Sequence, residues 1–188
     1  HAAGTASGKQ KNRFGKSDYN FEWDSKVFDA PEWSGRKQDQ PFFAKICLSG
    51  GKARSQARAS KDIPHVKSTD VKLPPYYPRH PVVLEDWAAY LDTFSLMDFQ
   101  VGQIVDRLKK EGEFENTVIL FITDHGVSHA RGKQFCYDEG MMIPFFVHAP
   151  NRVKGGTVRK EPVLHIDLAA TSLYFAGIEI PKYMEART

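Results

Sequence analysis

Asp124-His125-Gly126, followed closely by Arg131-Gly132-Lys133, is the part of the sequence best equipped for chemistry. A neighbouring aspartate and histidine offer a hard carboxylate oxygen and an imidazole nitrogen, both able to bind a divalent cation. Lys133 can hold an anion against that cation, and His129 is suited to passing a proton near neutral pH. The pair follows Val118 to Ile122, a run of five apolar residues rich in β-branched types. That run reads as a strand buried on both faces. Polarity rises sharply at Asp124, and Gly126 lets the backbone turn. Open α/β sheets bind ligands at the carboxyl ends of their strands. The same residues also suit a plain turn after a core strand, and a lone loop histidine is more often structural or solvated.

The elements that must position these residues fit one domain-sized chain. Its 188 residues, 41% hydrophobic and 26% charged, suffice for a sizeable core. No apolar run approaches the length of a membrane span, so no membrane partner is expected. No basic-then-apolar leader opens the chain, and His1 is not an initiator methionine, so the first residues read as cut from something longer. Between Lys45 and Lys72 lie Lys45, Lys52, Arg54, Arg58, Lys61, Lys67 and Lys72 against only Asp62 and Asp70. The stretch is either a solvated loop or a basic rim that attracts an anionic substrate. It lacks interleaved aromatics, so nucleic acid is not an expected partner. Cys47 and Cys136 have neither metal-ligand spacing nor the numbers for a disulfide framework. Cys47 reads as a small core residue.

In chain order, residues 1–40 form an irregular entry segment whose aromatics Trp23 and Trp33 are expected to fold onto the body. Gly15-Lys16-Ser17 is not a P-loop, because the first glycine of that motif would fall at Gln10. Residues 41–48 form a strand that exits through Ser49-Gly50-Gly51-Lys52. Residues 49–81 form a long substrate-side loop, stiffened by four prolines between Leu73 and Pro81. From Val83 to Glu111, Leu84, Trp87, Leu91, Phe94, Met97, Val101, Ile104 and Leu108 recur at helical spacing. Glu85 and Asp86 suit the helix start, and Gly112 suits its end. Strand, helix, strand is the grammar of a parallel, doubly wound sheet. Further elements are a loop or short helix over 134–140, a strand within 142–150, a Gly-Gly excursion over 151–160 and a helix over 165–176.

Four segments together resemble the sulfatases of the alkaline-phosphatase-like superfamily: Pro41-Phe42-Phe43-Ala44; residues 116–126; Gly132-Lys133 with 137–140 and Ile143-Pro144; and residues 165–173 with 176–178 and Pro181. The resemblance implies an α/β fold, a mostly parallel sheet flanked by helices, with the chain as a partial catalytic domain. It implies a divalent cation, usually Ca2+, near Asp124 and His125, and a sulfate-contacting lysine at Lys133. Lys16, in Phe14-Gly15-Lys16-Ser17-Asp18, looks like the family's earlier active-site lysine, although Asp18 stands where many members have histidine. Lys52 stands near another position where many members have histidine, and reads as a cationic substrate contact.

The family's nucleophile, a formylglycine made from cysteine in a Cys-x-Pro/Ala-Ser-Arg motif, matches neither Cys47 nor Cys136 and is expected upstream of this chain. The implied activity is metal-dependent cleavage of a sulfate ester, small or glycan-borne, by an enzyme that is periplasmic, secreted or lysosomal. His129 would donate a proton to the leaving oxygen. The alternatives are a phosphoryl or phosphonate hydrolase of the same superfamily and a non-catalytic, metal-stabilised anion-binding scaffold. The sequence does not specify an oligomeric state.

Overall fold

A computed structural model describes residues 2–6, 24–186 and 188. Lys16, its neighbours Phe14 to Asp18, and Trp23 lie outside the described residues. The chain divides into two compact units, residues 1–107 and 108–188.

In the first unit, β1 (Ala2–Ala6) pairs in parallel with β2 (Phe43–Cys47), in register from Ala2 opposite Phe43 to Ala6 opposite Cys47. The connection after β2 is not the bare loop expected from its polarity. It contains helix α1 (Arg54–Ala59) and a 3₁₀ turn at Ser68–Asp70. Ala57 and Ile63 from this connection pack with Leu96 of α2 (Pro81–Lys110). Pro81 opens α2, where its missing N–H would have no partner anyway, and the His80 imidazole bonds the Val82 amide at 3.3 Å. Gly112 ends it at φ 74°, with Gly112 N bonded to Lys109 O and Glu113 N to Leu108 O, as a left-handed glycine cap requires.

The apolar stripe read along α2 is only partly the buried face. Of that stripe Trp87 and Leu108 are buried and Phe94 is 39% exposed, while Leu96 and Asp92, outside it, are buried, Asp92 with 0% exposure. A buried carboxylate requires partners, and Asp92 has three. Arg58 Nη1 and His65 Nδ1 each lie 2.9 Å from Oδ2, and the Val66 amide donates to Oδ1 at 2.7 Å. His65 Nε2 lies 3.0 Å from Ser60 O. Glu85 and Asp86, expected to favour the helix dipole, instead pair with Arg58 and Arg54 at 3.0 and 2.8 Å. Two cations of the basic stretch are therefore committed to α2. Aromatic edges continue the packing from Tyr77 to Trp87 (5.3 Å), Trp87 to Tyr90 (5.7 Å) and Tyr90 to Phe94 (5.0 Å). Burial pushes the Tyr90 phenol up, and Arg54 beside it pulls the other way. Trp33 is buried as expected, stacked on Phe42 and covered by Arg107 at 4.1 Å.

In the second unit, β3 (Ile119–Ile122) pairs antiparallel with β4 (Phe145–His148). Parallel pairing thus occurs in β1–β2 and not here. Among the described residues β3 has one neighbour, and it is half-buried, with Ile122 36% exposed, rather than buried on both faces. Helix α3 (Asp138–Met141) lies between the strands in sequence, and α4 (Asp167–Phe175) ends at Gly177, φ 70°. Cys47 is half-buried and Cys136 is exposed. No helix among the described residues is long and apolar enough to cross a membrane.

Replacing Asp92 with alanine leaves the Arg58 guanidinium, the His65 imidazole and the Val66 amide facing a site without its carboxylate. The expected loss is roughly 3 kcal/mol of first-unit stability, measured as a lowered urea midpoint; an unchanged midpoint would show that the three contacts contribute nothing net.

Candidate functional site

The site grows from the carboxyl end of β3, as the sequence predicts. Thr123 O, at the strand's exit, accepts a 2.8 Å hydrogen bond from His165 Nε2, just ahead of α4. The next two side chains differ in exposure: Asp124 is 79% exposed and His125 is 28% exposed. His125 Nδ1 lies 2.8 Å from Gly126 O, which can only accept, so Nδ1 carries a proton. The other nitrogen, Nε2, faces Asp124 Oδ2 at 3.6 Å. In the neutral ring this sets a nitrogen lone pair against a carboxylate oxygen, an arrangement that a shared cation between them relieves.

Beyond this corner the chain folds back on itself. Gly126 N donates to Gly140 O and Val127 N to Glu139 O, both at 3.0 Å. Val127 O in turn accepts from Lys133 N at 2.7 Å, while Gly132 N donates to His129 O at 3.1 Å. The backbone passes so close that side chains are excluded at three positions. A Cβ on Gly126 would meet the Glu139 carbonyl, one on Gly132 the Val127 carbonyl, and one on Gly140 the Phe135 and Gly132 carbonyls. Glycine is the residue that tolerates such approach. Lys133 itself is bracketed by left-handed residues, Arg131 (φ 67°) and Gln134 (φ 81°). For a non-glycine residue that conformation costs about 1–2 kcal/mol.

Asp124, His125, His129 and Lys133 therefore share one folded loop at one strand end. Lys52 sits in an exposed turn after β2, in the first unit. Lys16 lies outside the described residues. The corner fits a divalent cation in part: it supplies one carboxylate oxygen and one imidazole nitrogen. The hydroxyls of Thr123 and Ser128, which flank the pair, are buried without a hydrogen-bond partner among the described residues. No group of three His, Cys, Asp or Glu that could hold a metal occurs among the described residues. A calcium ion takes about 6–8 oxygen ligands, so the corner supplies only part of such a shell.

His165 and the three close-packed glycines were not read as site residues from sequence. The signal available for the glycines was their density, three within residues 126–140.

A family model described as Sulfatase matches residues 3–178. The chain is 28% identical to an ulvan-active sulfatase of Formosa agariphila, covering 92% of this chain and 35% of that protein. It is 29% identical to the N-sulphoglucosamine sulphohydrolase of Homo sapiens, covering 84% of this chain and 32% of that one. Among solved structures, a phosphonate monoester hydrolase from Silicibacter pomeroyi shares the fold with a TM-score of 0.59 at 22% identity, covering 80% of this chain and 37% of that chain. That likeness bears out the alkaline-phosphatase-like α/β fold. The chain spans about a third of the length of these proteins.

Gly126→Ala should weaken the loop by about 1–3 kcal/mol, the usual range for overpacking. The measurement is amide exchange at Val127, with Gly50→Ala, which has open space around it, as the control that should exchange as wild type. Equal exchange in the two variants would mean that the close approach does not hold the loop.

Proposed function

Because the chain belongs to the sulfatase family, we propose that it forms part of the catalytic domain of a sulfuric ester hydrolase and supplies its metal corner and a sulfate-contacting lysine. The observation that carries this reading is the loop geometry. His125 Nε2 and Asp124 Oδ2 converge at 3.6 Å, and Lys133 is anchored through Val127 to the same turn.

A sulfate ester carries one negative charge, and more gathers on the sulfonyl and leaving oxygens as the S–O bond breaks. Fixed positive groups aimed at those oxygens stabilise that charge without reorganising. In this reading the Lys133 ammonium contacts the sulfonyl oxygens, with Lys16 and Lys52 as further cationic contacts. His129 delivers a proton to the leaving oxygen. Asp124 and His125 hold Ca2+, which when bound would polarise the ester and lower the cost of the developing charge. The nucleophile is assigned to no residue of this chain.

For substrate class we favour a sulfated glycan, since ulvan and N-sulphoglucosamine appear in the names of two relatives. The lysines of residues 45–72 suit such a polyanion. The resemblance also favours a location outside the cytoplasm.

In an enzyme that joins this chain to the nucleophile segment, Lys133→Ala should lower kcat for an aryl sulfate by about 10²–10³, the loss seen when an oxyanion donor is removed. Near-normal turnover would take Lys133 out of the mechanism. Faster turnover of the matching aryl phosphate by the unaltered enzyme would reassign the reaction to phosphoryl transfer. Asp124→Ala should abolish saturable binding of Ca2+ in a calorimetric titration; binding equal to wild type would place the cation elsewhere.

A further inference from the structure

The turn that presents Lys133 is not one that its own residues favour. Arg131 and Gln134, at φ 67° and 81°, both occupy the left-handed region, and neither is glycine or asparagine. Something outside the turn must hold it there. The Arg131 guanidinium lies over the Tyr137 ring, 4.3 Å from its centroid. Tyr137 is in turn stacked on Phe135, with centroids 6.1 Å apart and planes 23° from parallel. The carbonyl of Tyr137 accepts the Gly140 and Met141 amides, at 2.9 and 3.0 Å, as α3 begins. The ring is thus attached to the helix whose backbone also receives Gly126 and Val127.

We propose that Arg131 and Tyr137 are positioning residues: their cation–π contact clamps the left-handed turn so that Lys133 is presented next to the Asp124-His125 corner. The inference rests on the reading of Lys133 as the anion contact. A planar guanidinium on a phenol face suits this role, because the contact still contributes about 0.5–1 kcal/mol at an exposed site. The phenol hydroxyl is not required, only the ring. The guanidinium is needed for the contact and not for the backbone, since glycine at 131 would adopt the same φ without strain.

The test uses the chain itself. Lys133 N donates to Val127 O at 2.7 Å, so its amide exchange by NMR reports opening of the turn. Arg131→Ala and Tyr137→Ala should each exchange about two- to fivefold faster at Lys133, the factor matching an exposed cation–π contact. The double variant should exchange no faster than the faster single variant, since one contact is lost either way. Tyr137→Phe should exchange as wild type, and Arg131→Gly more slowly than Arg131→Ala. Unchanged exchange in Tyr137→Ala, or additive effects in the double variant, overturns the clamp.

Titration of the same samples with inorganic sulfate, in the presence of calcium, reads the functional half. Sulfate affinity should drop on Tyr137→Ala and recover in Tyr137→Phe. If Lys133→Ala binds sulfate as wild type does, or wild type binds none, the reading of Lys133 fails, while exchange still decides the clamp. If Lys133→Ala loses sulfate and Tyr137→Ala does not, the positioning role is overturned.

Discussion

One residue connects the two arms of the candidate site. The N–H of Val127 donates to Glu139 and its C=O accepts from Lys133, so the strand exit, the lysine turn and α3 meet on a single residue. The joints are backbone hydrogen bonds, and the Val127 side chain also lies close against Gly132. The placement of Lys133 depends on how closely three chain segments can approach. That limit is set by Gly126, Gly132 and Gly140, each lying where a Cβ would strike a carbonyl. Asp124 and His125 inherit the same anchor from one side, and the bond from His165 to Thr123 fixes the strand end from the other.

The first unit solves a different problem with a different device. Its long connection is too polar to fold by burial of apolar surface alone. The carboxylate of Asp92, fully removed from solvent, takes up the donors of Arg58, His65 and Val66 and so ties residues 58–66 to α2. Charged, hydrogen-bonded contacts of this kind are directional. They fix a path for the chain in a way that the small apolar contact of Ala57, Ile63 and Leu96 does not.

Much of the element order was legible because it rests on local signals. The periodic apolar pattern and Gly112 delimit α2 to within two residues of the expected limits, although its first residue, Pro81, read as the last of the stiff loop. The strand before Asp124 and its polar exit were legible for the same reason. Other features were not, among them β1, which lies in a segment that reads as irregular. Helix α1 spans only Arg54 to Ala59, too short for a periodic pattern to emerge. The antiparallel course of β4 beside β3 depends on how the chain between them folds, which composition does not encode. Asp92 sits one position after Leu91 in the apolar stripe, and its burial is set by arginine and histidine some thirty residues away. Of the candidate site, the residue types were readable and their common loop was inferable. The close packing that holds them together was not, because it is a contact between backbones.

Once Arg54 and Arg58 are joined to Asp86, Glu85 and Asp92, the ammonium and guanidinium groups left between residues 45 and 72 all belong to lysines. Lysine carries a compact, strongly hydrated charge on a flexible stem and lacks the rigid fork that arginine offers to paired oxygens. A surface of that kind concentrates polyanions without imposing a spacing on their charged groups.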